Sequence, residues 1–203
     1  MPPPASDGIF FALMCRKIQM SMKSNKTASF VLPIVLCFIV GGLSAWAMRE
    51  SLAVWYPYLN KPALTPPGYI FPIVWFALYV CIGLSAGFVL TSRKNMQVET
   101  VESFRNDGSL ESVKTSSVYS HLRDGIMRLW IWQLALNFMW SVLFFLMRAP
   151  WVALVDIIGL DILIIVYICQ TARRYRAAMW LFVPYLVWTL FATYLNAYIA
   201  MYN

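Results

Sequence analysis

The chain has 203 residues, of which 61% are hydrophobic and only 12% charged, with a mean hydropathy of +0.65. A soluble domain carries roughly 25% charged residues, so this composition excludes an ordinary water-soluble globule and fits one polytopic membrane domain. The formal net charge of +7 lies in loops beside apolar runs, which follows membrane-side asymmetry; no nucleic-acid motif accompanies it, so nucleic acid is excluded as a partner.

Residues 1–29 hold the short apolar run IFFALMC and then basic, Ser-rich sequence. Seven residues cannot span a bilayer, and a secretory signal carries its positive charges first. The segment therefore reads as a flexible basic extension, with organelle targeting as the alternative. The remaining 30–203 contain five apolar runs: Phe30 to Met48, Tyr69 to Ser92, Leu129 to Met147, Ala149 to Ala172 and Ala177 to Asn203. Each meets the requirement of about 20 residues to cross a hydrocarbon core of roughly 30 Å. Backbone groups in lipid must bond within their own helix, so the expected fold is all-α, a bundle of five transmembrane helices.

Between the first two runs stands NKPALTPPGYIFPIVW, with four prolines and a glycine in sixteen residues, a stiff connector at the entrance to the second span. That span contains GLSAG, with Gly83 and Gly87 four apart. This spacing admits close approach of another helix, either from the same bundle or from a second protomer. The gap at 93–124 carries five basic and five acidic residues and six serines; it reads as a flexible insert without chemistry of its own.

Charge in the gaps sets the orientation. Arg16, Lys17, Lys23, Lys26, Arg93, Lys94, Arg105, Lys114, Arg123, Arg128, Arg173, Arg174 and Arg176 share one side of a five-span chain; Arg49, Lys61 and Arg148 lie on the other. The excess puts the N-terminus on the positive side, the cytosol in a conventionally inserted protein.

Enzyme constellations are scarce. His121 is the only histidine and lies in the charged insert, so Ser–His pairs and His-rich metal sites are absent, and no metal site or catalytic group is assigned. Asp156 and Asp161 are the only acids inside a span; five residues apart, they lie about 140° apart around a helix and cannot work as a paired-carboxylate site. Asp156, near the start of its span, reads as an interfacial or capping residue, with a direct ligand role as the alternative. Cys15, Cys37, Cys81 and Cys169 are far apart, without a C-x-x-C pair, and read as reduced thiols. Interfacial belts account for many of the aromatics, but Trp140 and Trp188 fall near the middle of their spans. Trp188, Ala192 and Leu195 fall at i, i+4 and i+7. That bulky–small–bulky stripe either packs against a neighbour or lines a slot for a flat apolar ligand.

These residues closely resemble one family, that of the translocator protein, also called the peripheral benzodiazepine receptor or tryptophan-rich sensory protein (TspO/MBR). The resemblance is carried by WYPYLNKPALTPPGYIFPIVWFALY, QLALNFMWSVLFF in the third span, ALVD in the fourth and PYLVWTLFATYLN in the fifth. It implies a five-helix bundle that binds cholesterol, porphyrins and benzodiazepine-type drugs in a cavity closed by the first loop. Carried onto this sequence, the ligand-binding positions are Trp75, Asn137, Trp140, Trp188, Ala192 and Leu195, which tips the stripe towards a slot. The lid is the 55–68 loop, with Trp55, Tyr56, Lys61, Pro62, Pro66 and Pro67; proline fixes φ and gives up a donor, so the loop should hold a defined shape. Asn137 and Tyr56 would orient the ligand, and porphyrin or heme would be a ligand rather than a cofactor.

The resemblance implies a receptor or transporter, in the mitochondrial outer membrane if the cell is eukaryotic and with another endomembrane as the alternative; a homodimer is a further expectation. Photo-oxidative porphyrin breakdown and a scaffold role for the insert are the alternatives. Three departures bear on this reading. Leu64 replaces the family's first-loop tryptophan, which weakens an indole-dependent photochemistry. Trp151 stands five residues before Asp156 rather than four. Leu195 and Tyr198 of the C-terminal cholesterol pattern lack a following basic residue.

Overall fold

A computed structural model describes the backbone of residues 26–92, 101–104, 110–113 and 116–203, and side chains over 26–92 and 123–203. Most of the N-terminal extension, much of the 93–124 insert and the His121 side chain lie outside the described residues. Helix α1 runs Lys26–Val54, α2 Ile70–Thr91, α3 Ser116–Ser141, α4 Pro150–Ala172 and α5 Arg176–Tyr202. Each contains a stretch long and apolar enough to cross a membrane, so the five-helix, all-α expectation holds. Within the insert, strands β1 Val101–Phe104 and β2 Leu110–Val113 pair antiparallel, Val101 opposite Val113.

Three boundaries differ from the hydropathy reading because polar residues do not stop a helix, the first being the start of α1 at Lys26, inside the expected 1–29 extension. Helix α1 continues past Met48 through Arg49 and Glu50 to Val54, before the short 3₁₀ turn Tyr56–Tyr58 that contains Pro57. Helix α3 begins at Ser116, well before Leu129, so part of the charged insert is helical. At its far end α3 passes into a π-helical turn, Val142–Leu146, where Met147 N–H donates to the Val142 carbonyl. A carbonyl freed at a helix end in lipid needs a donor, and the buried Ser51 hydroxyl of α1 gives one to the Phe145 carbonyl. Pro150 opens α4 at a position whose N–H would have no intrahelical partner.

The core is built chiefly from Ile82, Ala86 and Val89 of α2, Ile157, Leu160 and Ile164 of α4, and Phe182 and Tyr185 of α5. Buried polar ties cross it. The Trp130 indole donates to the Ile82 carbonyl at 3.0 Å, and the Ser85 hydroxyl donates to the Ala178 carbonyl at 2.9 Å while lying 2.8 Å from the Tyr167 hydroxyl. Large apolar side chains such as Val31, Ile39, Ile73 and Val187 face outward, as a lipid-bathed surface requires.

The alternatives for Gly83 and Gly87 are resolved by their neighbours. A Cβ on Gly83 would stand 2.6 Å from the Ile34 Cα, and one on Gly87 would overlap the Phe30 ring. Both glycines are therefore the seat of α1 against α2 within one chain. Replacing Gly83 with Leu is expected to lower stability by about 1–3 kcal/mol, as overpacked cores do, read as an earlier thermal unfolding transition in detergent with no change in oligomeric state. Arg148, in the α3–α4 turn, has φ of 50°, a left-handed conformation that suits glycine. Arg148→Gly is expected to raise stability by about 0.5–1 kcal/mol, and Arg148→Val to lower it, in the same measurement.

Candidate ligand-binding site

The site residues belong to α2, α3 and α5, and their centre is polar. Asn137 of α3 is buried, and both ends of its amide are engaged. Its Oδ1 accepts from the Tyr79 hydroxyl of α2 and its Nδ2 donates to the Tyr185 hydroxyl of α5, each at 3.1 Å. Trp75 lies one turn from Tyr79 on the same face of α2, with ring centres 5.3 Å apart, and meets Tyr185 edge-on at 6.3 Å. An expected ligand-orienting side chain is thus first a clamp that joins three helices.

Trp140, one turn above Asn137, turns towards the loop. Its ring stacks on Phe144 at 5.3 Å, and its indole N–H donates to Asn196 Oδ1 at 2.9 Å. Asn196 in turn donates to the Pro150 carbonyl at 2.8 Å, so the indole's orientation is fixed by α5 and the start of α4. Trp188 meets Phe71 of α2 edge-on at 5.8 Å and Phe191 at the same distance. Ala192 is half-buried and packs against the main core, while Leu195 is buried. Trp75, Asn137 and Trp140 therefore form one neighbourhood, and Trp188 and Ala192 flank it on the α2–α5 side.

The loop is organised as its prolines suggest. The Lys61 ammonium donates to the Tyr56 carbonyl at 3.0 Å and stands 4.5 Å over the Tyr56 ring. Burial pushes the Tyr56 hydroxyl up from its ordinary pKa. Trp55 meets Phe144 and Tyr56 meets Phe145, each with ring centres 5.7 Å apart, so the first half of the loop packs beside Trp140. Pro62 is buried, and its carbonyl accepts from both the backbone and the hydroxyl of Thr65. Pro67 is exposed and Pro66 half-buried; the Pro67 carbonyl accepts from Ile70 N–H at the entry to α2. Leu64, at the position of the family tryptophan, is 68% exposed. The Asn60 side chain and backbone bond with Asn203 and the Tyr202 carbonyl, which pins the middle of the loop to the end of α5.

Comparison with known proteins decides the family. The TspO/MBR family model matches residues 33–202. The chain belongs to the TspO/MBR family. It is 33% identical to the Tryptophan-rich protein TspO of Chlorobaculum tepidum over 181 residues, covering 89% of this chain and 99% of that one. To the Tryptophan-rich protein TspO of Archaeoglobus fulgidus it is 31% identical over 173 residues, 85% and 95% of the two chains. To the Tryptophan-rich sensory protein of Cereibacter sphaeroides it is 30% identical over 142 residues, 70% and 72%. This TspO/MBR member is an integral, multi-pass membrane protein. Among the described residues no group of three His, Cys, Asp or Glu side chains is placed to hold a metal.

The structure adds Tyr79, Tyr185, Asn196 and Phe144 to the site. Tyr79 had a signal, since it lies four residues after Trp75 and so on the same helical face. Tyr185 and Asn196 stand inside PYLVWTLFATYLN, but their partners on α2, α3 and α4 are set by tertiary packing. Asn137→Leu is expected to leave two buried tyrosine hydroxyls without partners and to cost about 1–3 kcal/mol. Tyr79→Phe, which removes one donor and keeps the ring, should cost less. Thermal unfolding of both variants in detergent checks the order.

Proposed function

We propose that this TspO/MBR protein is a receptor or translocator for flat apolar ligands of the porphyrin and sterol classes, with benzodiazepine-type drugs as competitors, in the mitochondrial outer membrane of a eukaryotic cell. Such a ligand enters the bundle beneath the 55–68 loop and lies against the faces of Trp75, Trp140 and Trp188. Ala192 supplies the space, Leu195 a wall, and the Asn137–Tyr79–Tyr185 group the polar contacts. One observation carries the reading: Trp75 lies against the hydrogen-bonded Tyr79–Asn137–Tyr185 cluster, Trp140 follows Asn137 by one turn of α3 and Trp188 follows Tyr185 by one turn of α5, in a chain whose first loop is tied down at both Tyr56 and Asn60. Mostly apolar walls with a few convergent polar groups are the usual make-up of a small-molecule site.

Direct titration of the purified protein with protoporphyrin and with cholesterol tests this. Illumination during the porphyrin titration separates the enzyme alternative, since new absorbing products would move the assignment to porphyrin breakdown. Ala192→Phe is expected to weaken porphyrin binding by about tenfold or more, about 1.4 kcal/mol, while the protein still inserts. Unchanged affinity would remove this face of α5 from the site. Replacing Pro66 and Pro67 with Gly should raise the entropy lost on closing the loop. Stopped-flow measurements are expected to show faster porphyrin release with little change in association, because affinity differences among related complexes lie mostly in the off-rate. Release at the parental rate would reduce the loop to a connector.

A further inference from the structure

Arg173, Arg174 and Arg176 are the only charged side chains in residues 162–203, and all three are exposed. They occupy the turn that joins α4 to α5, where the N–H groups of Arg174 and Tyr175 donate to the Thr171 carbonyl. The first turn of α5 holds no acidic residue. Several other cations are answered within the chain: Arg123 by Asp124 at 3.5 Å, Lys61 by the Tyr56 ring and Arg49 by the Trp46 ring at 5.8 Å. Arg173 and Arg176 make no ion pair among the described residues.

Below this turn α5 presents an apolar face outward. Arg176, Trp180, Pro184, Val187 and Leu190 fall at i, i+4, i+8, i+11 and i+14, on one side of the helix. Trp180, Val187 and Leu190 are 63%, 64% and 49% exposed, and Pro184 is exposed with them. Trp180 lies about 6 Å along the axis from Arg176, at the depth where an interfacial indole sets its N–H among headgroup and ester oxygens. From Trp180 to Leu190 the ridge runs about 15 Å, half of a hydrocarbon core of roughly 30 Å and so the depth of one leaflet.

The order from the turn to the bilayer centre is cation, indole, apolar ridge. A phospholipid has the matching order of phosphate, ester and acyl chain. A soluble anion matches only the top of this surface, and an uncharged lipid only the rest. Guanidinium groups suit phosphate because they present paired N–H donors. A zwitterionic head brings its own cation against the arginines, so a head of net negative charge is the better fit.

We propose that the α4–α5 turn and the outer face of α5 hold one anionic phospholipid from the leaflet on the positive side of the membrane. Arg173 and Arg176 bind its phosphate, the Trp180 indole meets its ester region, and an acyl chain lies along Pro184, Val187 and Leu190. None of these residues belongs to the Asn137 cluster, and the proposal stands independently of the interior ligand.

Native mass spectrometry of the full chain tests it, using mixed micelles of phosphatidylglycerol and phosphatidylcholine with matched acyl chains. The expected result is one tightly retained phosphatidylglycerol per chain, favoured about tenfold over phosphatidylcholine. The double variant Arg173→Gln, Arg176→Gln should erase that preference without moving the thermal unfolding transition. The corresponding double Lys variant, which keeps the charge, should retain part of it, and Trp180→Ala should weaken retention. Arg148→Gln, a charge removed from the opposite side, should leave the preference intact. Equal retention of the two lipids overturns the proposal. An equal loss from Arg148→Gln also overturns it, since the preference would then be a bulk charge effect. Displacement of the lipid by millimolar inorganic phosphate would make this a site for a free anion, and a change in oligomeric state of Trp180→Ala with lipid retention unaltered would give the face to a second protomer; either result refutes the lipid.

Discussion

The arrangement depends on one amide. Asn137 of α3 offers a donor and an acceptor inside the bundle, and Tyr79 and Tyr185 use one each. Lipid tails are as apolar as leucine, so helices in a bilayer gain little from apolar burial against one another; their register comes from close packing and interhelical hydrogen bonds. With α2, α3 and α5 fixed at one level, Trp75 and Trp140 fall within one neighbourhood and Trp188 beside it. The polar centre thus sets the relative level of the three helices it joins.

Packing completes what the amide begins. Two glycines bring α1 so close to α2 that the Ile34 backbone occupies the place of a Gly83 side chain. The tightly joined α1–α2 pair carries the loop between them, and the loop's conformation is inherited from it. Ser51 reaches the π turn of α3, so the same pair also fixes the end of α3 against which Trp55 and Tyr56 pack. The loop is held by elements on three sides, and its prolines add stiffness to a path already constrained.

The five helices, their order and the all-α class were legible because the bilayer enforces a length and a hydropathy that few other constraints imitate. The candidate positions Trp75, Asn137, Trp140, Trp188, Ala192 and Leu195 came from motifs, and the Trp188–Ala192 stripe also from periodicity. What periodicity could not supply was partnership. Gly83 and Gly87 had a close neighbour by their spacing, but whether that neighbour was α1 or another molecule depended on the turn between spans. Tyr185 and Asn196 look like any polar residues of an amphiphilic helix until Asn137 and Trp140 are placed opposite them. The helical extension of α3 to Ser116 was hidden for a different reason: helix formation continues through polar sequence, and hydropathy reports the membrane rather than the helix.

The clasp between Asn60 and Asn203 joins residues 143 apart in sequence. Contacts of that separation form late, because the intervening chain must first be ordered. During synthesis α1, α2 and the loop enter the membrane long before α5 exists to receive Asn60. The loop therefore remains untethered at its middle through most of biogenesis, and the bundle interior stays open to the bilayer until the fifth helix is in place.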